Sequence, residues 1–101
     1  MIVYNITMKV DTAIEKEWVL WQQEEHIPEI LATGLFYEHK FFRLLEQDET
    51  DGITYIIQYF TQSLENYQQY IVKFAPIFRK KATDKWKDKF VGIRTVMQAV
   101  Q

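Results

Sequence analysis

The sequence predicts an α+β fold: a four-stranded antiparallel sheet carrying two helices on one face, in the order β-α-β-β-α-β. Three observations lead there. Strand-like stretches occupy residues 2–10, 36–47, 53–61 and 89–99. Apolar residues at helical spacing fill the intervals after the first and third of these stretches. Turn residues, chiefly Asp51-Gly52, separate the two middle strands as a hairpin. A chain of 101 residues makes this a single domain, with a core of modest size.

In the first strand Ile2, Tyr4, Ile6, Met8 and Val10 share one face, and Val3, Asn5, Thr7 and Lys9 share the other. Asp11 and Thr12 then offer helix caps, and Thr12 with Glu15 has the spacing of a capping box. The helix that follows sets Ile14, Trp18 and Trp21 on one stripe. Pro28 disfavours helical dihedrals at Ile27, so this helix is expected to end or kink near His26. Pro28 suits the first turn of a short further helix through about Thr33, and Gly34 suits the left-handed position closing it. After the hairpin, Ser63 caps a helix with apolar residues at Leu64, Tyr67, Ile71, Phe74 and Phe78. Pro76 lies inside that pattern and is expected to kink or split the helix near Phe74 to Ala75.

Two helices cover only one side of such a sheet, yet the strands are apolar on both sides. Phe36, Phe42 and Leu44 oppose Tyr37, Phe41 and Leu45 in the second strand; Val91, Ile93 and Met97 oppose Phe90, Val96 and Val100 in the last. An uncovered apolar face of that size predicts a two-fold homodimer through the helix-free side of the sheet, with Phe41 in the contact. Asn5 and Thr7 face the same way. Arg94 and Gln98 are expected beside them, with His39, Arg43 and Gln58 as neighbours, as a hydrogen-bonded polar layer. A sharper alternative makes this layer an anion- or carboxylate-binding pocket organised by Arg43 and Arg94.

Composition narrows the function classes. Apolar residues form 48% of the chain and aromatics 16%, with three Gly and two Pro, as in a compact globular protein. The formal charge of −2 gives no general attraction for nucleic acid or anionic membrane. Without cysteine there is neither a disulfide framework nor a thiolate nucleophile or metal ligand. MIVYNITMKV reads as a strand rather than a signal sequence, and no apolar run approaches the roughly 20 residues of a membrane span, so a cytoplasmic location is expected. The run RKKATDKWKDK, residues 79–89, has six basic and two acidic residues. Its Trp86 would suit stacking on a base, but the bland assignment is a solvated helix end, and nucleic acid is not an expected partner. No phosphate loop, nucleophile motif or dinucleotide fingerprint occurs. His26 and His39, even with Glu24, Glu25 and Glu29, lack metal-ligand spacing, so neither metal nor cofactor is expected.

His26 is the one candidate for acid–base chemistry. Its imidazole, beside an apolar pocket lined by Trp18, Trp21, Tyr4 and Tyr55, would titrate near neutrality and take a proton from a phenol or enol. The plainer alternative puts a protonated His26 at the C-terminal end of the first helix, meeting free carbonyls, and chain geometry favours it.

The element order with two-faced strands resembles the dimeric α/β-barrel superfamily of ferredoxin-like proteins, which includes antibiotic-biosynthesis monooxygenases, muconolactone isomerases and EthD-like proteins. More closely, MIVYNIT, EEHIPEILATGLF and DKFVGIRT together resemble a small bacterial family catalogued as domain of unknown function 4286. That resemblance implies a ferredoxin-like fold and a dimer over nearly the whole chain, and no activity. No catalytic set of the wider superfamily is matched position by position; Trp21 before His26-Ile27-Pro28 is only loosely similar to an EthD-like region. The functional expectation is a homodimeric module binding a small apolar or aromatic ligand. The alternative is a cofactor-independent oxygenase- or isomerase-like enzyme in which His26, with Tyr4 or Tyr55, moves a proton inside a closed pocket of several hundred Å³.

Overall fold

A computed structural model describes all residues, 1–101. The elements are β1 (Ile2–Val10), α1 (Glu15–Trp21), a π-helical turn (Gln22–His26), α2 (Ile27–Leu31), β2 (Glu38–Arg43), β3 (Ile53–Thr61), α3 (Leu64–Lys73), α4 (Ala75–Trp86) and β4 (Phe90–Gln98). The sheet is antiparallel throughout, in the order β2-β3-β1-β4. This is the ferredoxin-like arrangement, with each of the two helical segments broken into pieces.

The breaks follow from the prolines. Ser63 Oγ accepts from the Asn66 amide at 3.1 Å to start α3. Pro76 has no N–H to continue α3, and the chain re-enters helix at Ala75 after Phe74 departs to φ −120°. Pro28 acts differently from expectation. Ile27 keeps helical dihedrals (φ −60°, ψ −47°), and the helix neither ends nor reverses at His26. The preceding turn widens instead, so that the Ile27 amide donates to the Gln22 carbonyl five residues back. One inserted residue gives the proline ring room that a regular α turn lacks.

Two further local expectations fail. The Thr12–Glu15 capping box does not form; Asp11 Oδ1 accepts from the Ala13 amide at 2.8 Å, and Glu15 is engaged by the Tyr55 hydroxyl. The second strand is shorter than expected, since only Glu38–Arg43 pair with β3. Gly34, at φ +77°, closes the α2 turn as predicted.

Register decides the two faces. Tyr4 pairs with Tyr59, Ile6 with Ile57 and Met8 with Tyr55, and this row faces the helices. The core grows around it: Tyr4 lies 5.7 Å from Tyr70 and 5.4 Å from Tyr67, ring to ring, and Trp18 lies 5.4 Å from Tyr55. On the opposite face Asn5 pairs with Gln58, whose Nε2 donates to Asn5 Oδ1 at 3.2 Å, while Asn5 Nδ2 donates to Thr7 Oγ1 at 3.3 Å. Around these polar residues Phe42 (45% exposed), Val91 (66%), Ile93 (70%) and Met97 (41%) stand uncovered on the same face.

Register also corrects the placement of five side chains. Arg94 lies opposite Ile6, and Gln98 opposite Ile2, so both are on the helix-covered face rather than beside Asn5. His39 and Arg43 pair with Tyr59 and Tyr55 and are likewise on the helix side. Phe41 shares that side, packs edge-on to Trp18 at 6.0 Å, and belongs to the core; Phe42 takes the helix-free position. The polar centre of the helix-free face is therefore Asn5, Thr7 and Gln58, flanked by Thr95 opposite Asn5 and Lys40 opposite Gln58, without the arginines.

Candidate functional site

Between the helices and the sheet lies a small internal cavity of about 30 Å³. The widened turn builds one wall of it. Gln22 and His26 both come from that turn, and both reach the cavity with Trp18 and Ile30 from the flanking helices. The floor is Tyr4, Ile6 and Met8 of β1 with Ile57 and Tyr59 of β3. Tyr70 and Arg79 come from α3 and α4, and exposed Arg94, on edge strand β4, stands where the cavity meets solvent.

His26 is held as a plate. Its ring stacks on Trp21 at 4.4 Å and 19°, a contact between residues five apart that the widened turn makes possible. Phe78 meets it edge-on at 6.1 Å. Burial lowers its pKa from the usual 6.5 to about 4; Glu29 opposes that shift, while Lys81 and Arg94 add to it. The ring is therefore neutral at pH 7, which removes the protonated helix-end role expected for it. Its Nδ1 is buried and has no hydrogen-bond partner.

His26 shares that condition with its neighbours. Gln22 Oε1, Tyr59 Oη and Arg79 Nε are also buried and unpartnered. Arg79 makes one side-chain hydrogen bond in the cavity, from Nη2 to Tyr4 Oη at 3.2 Å. Burial raises the Tyr59 and Tyr70 hydroxyls above their ordinary range, so both stay protonated and can donate.

Of the residues singled out from sequence, Tyr4, Trp18, His26 and Arg94 meet at this cavity. Trp21 lies behind, between His26 and the edge of Trp86 at 5.8 Å. Tyr55 is elsewhere on the same face, its hydroxyl bonded to Glu15; burial and that bond push its pKa up to about 12. Arg43 is exposed and grips Glu49 with Nη2 at 2.8 Å and Nε at 3.2 Å. His39 lies on the outer strand β2, away from the cavity, and Asn5 is on the opposite face. Trp86 is buried and not presented for stacking.

Gln22, Tyr59, Tyr70 and Arg79 were not legible as site residues. Tyr59 and Tyr70 carried only a core signal, and Arg79 was hidden in the basic run. For Gln22 the clue was its place four residues after Trp18, on the same stripe of the helix, where a polar residue is buried with the core. The cavity is also far smaller than the several hundred Å³ expected of an enzyme pocket.

Fold and cavity together define a ferredoxin-like α+β domain with a mainly apolar pocket, carrying a few polar groups, between helices and sheet. The family model described as a domain of unknown function (DUF4286) matches residues 1–100, and the chain belongs to that family. No functionally curated protein matches the sequence. Solved structures do. An EthD family protein from Bacillus halodurans superposes with a TM-score of 0.73 at 12% identity, over 99% of this chain and 100% of the other. SnoaB, a cofactor-independent oxygenase from Streptomyces nogalater, gives 0.70 at 15% identity, over 99% and 93%. A dimeric ferredoxin-like protein from an uncultured marine organism gives 0.68 at 18% identity, over 100% and 96%. At these identities the likeness establishes the fold. No helix is long and apolar enough to cross a membrane.

Proposed function

We propose that this chain is a small-molecule-binding module that works as a homodimer. One observation carries the binding half: four buried polar atoms, Gln22 Oε1, His26 Nδ1, Tyr59 Oη and Arg79 Nε, lack partners, and their side chains line one cavity. An unmet buried polar group costs about 1–3 kcal/mol, and the polar part of a ligand entering the cavity removes that cost. The space of about 30 Å³ holds about two waters. It fits a polar head, with Trp18, Phe78 and Phe90 as the apolar walls for an attached body.

The dimer half is supported by the exposed row Phe42, Val91, Ile93 and Met97 around a satisfied polar centre, a self-complementary surface for a two-fold contact. A fold neighbour described as dimeric is in accord with it.

Catalysis is the second reading, since His26 faces the cavity and a cofactor-independent oxygenase shares the fold. A ring whose conjugate acid titrates near 4 is a weak base and has no proton to give at pH 7, so binding is preferred. The test is protein-observed NMR, following the Gln22 and His26 side-chain resonances, with a library of small aromatic and aliphatic compounds. Binders that perturb Gln22 and His26 support the module; a library with no binder at these residues refutes it. In parallel, light scattering is expected to give twice the 12.2 kDa chain mass.

A further inference from the structure

The cavity is unbalanced in charge. Arg79 and Arg94 both line it, and neither forms an ion pair; the ion pairs of the molecule are Arg43–Glu49, Lys80–Asp84 and Lys81–Glu29. No Asp or Glu lines the space. Glu29, the carboxylate that acts on His26, is held by Lys81 at 2.9 Å.

Of the four unpartnered polar atoms, Arg79 Nε and Tyr59 Oη carry hydrogens to donate, while His26 Nδ1 donates in one tautomer and accepts in the other. Arg79 Nε–H is free, and Tyr4 Oη, which accepts from Arg79, keeps its own hydrogen to donate. Tyr59 Oη–H is a further donor without an acceptor. Gln22 turns an amide toward the same space, and either end of an amide can be presented by rotation. A half-buried guanidinium without an acidic partner is costly unless an anion completes it.

We infer that the cavity receives the carboxylate of a small organic acid, held by Arg79 and Arg94, with Tyr4 and Tyr59 donating to its oxygens. The inference rests on the binding reading above and narrows it to a ligand class. A planar two-oxygen group suits both a guanidinium fork and a space of about 30 Å³. The acid's apolar body leaves past Phe78 and Phe90 toward Arg94 and solvent.

The experiment titrates the full chain with benzoate, phenylacetate, benzamide and inorganic phosphate, following the side-chain resonances of His26, Gln22 and both arginines. The acids are expected to bind saturably in the millimolar range or tighter. Benzamide, the neutral counterpart, is expected to bind at least about tenfold more weakly. Arg94→Gln removes an exposed charge and Arg79→Lys keeps charge but loses the fork; each is expected to weaken benzoate about tenfold with an unchanged circular dichroism spectrum. Should Arg79→Lys fail to fold, Arg94→Gln alone decides, because Arg94 is exposed. Benzamide binding as well as benzoate, or Arg94→Gln without effect, overturns the carboxylate assignment and leaves the binding module standing. Phosphate binding as tightly as benzoate also overturns it, in favour of a simple anion site. If neither acids nor amide perturb these residues, the carboxylate assignment falls, and the compound library decides the binding reading separately.

Discussion

Replacing Ile93 with Glu is the sharpest probe of the helix-free face. Full burial of an Ile side chain contributes about 1.5–3 kcal/mol. Ile93 is 70% exposed in the single chain, so covering it in a dimer is worth about 1–2 kcal/mol per copy. Two-fold symmetry counts the substitution twice, giving about 2–4 kcal/mol. A carboxylate placed in the contact adds a desolvation cost of at least a few kcal/mol in total. The sum is at least about 4 kcal/mol, or roughly a thousandfold in the dissociation constant. The control is Val72→Glu, on α3, which is 76% exposed on the helical side. Sedimentation velocity across a range of concentrations is expected to show Ile93→Glu as monomer and Val72→Glu as dimer, both with native circular dichroism. Equal dimerisation of the two variants, or a wild-type monomer at every concentration, would refute the assignment of the contact.

Three more outcomes are expected. Because the folded pKa of His26 lies near 4 and its usual value is 6.5, the unfolded chain binds a proton first, and stability declines as pH falls through that window; urea melts at pH 7 and pH 4 are expected to differ by on the order of 3 kcal/mol from this group, and His26→Gln to flatten that part of the profile. Gly52→Ala is expected to cost about 1–3 kcal/mol in thermal unfolding, because φ is +149° there and a Cβ would stand 2.8 Å from the Val10 carbonyl oxygen. Tyr55→Phe removes the bond to Glu15 and is expected to lower stability by about 1 kcal/mol in denaturant melts while leaving His26 and the cavity resonances in place.

The strands β1 and β3, the Ser63 cap, the break at Pro76 and the turn at Gly34 were legible because each depends on a few neighbouring residues. Steric limits on proline, glycine's freedom at positive φ and the two-residue repeat of a strand act locally, so sequence alone decides them. Alternation likewise shows which residues of a strand share a face. It does not show which face that is when both carry apolar side chains, as in β2 with Phe41 and Phe42 and in β4 with Ile93 and Val96. Pairing against β1 and β3 settled that question, moving Arg94, His39 and Arg43 to the helix side and Phe42 to the bare one. The cavity was less visible still. It needs Arg79 and Tyr4 brought together from 75 residues apart, and a turn widened by one residue that stacks His26 on Trp21 beside Gln22. Local chemistry wrote the elements; the register of the sheet and one irregular turn, which minimise energy only across the assembled chain, placed the charges.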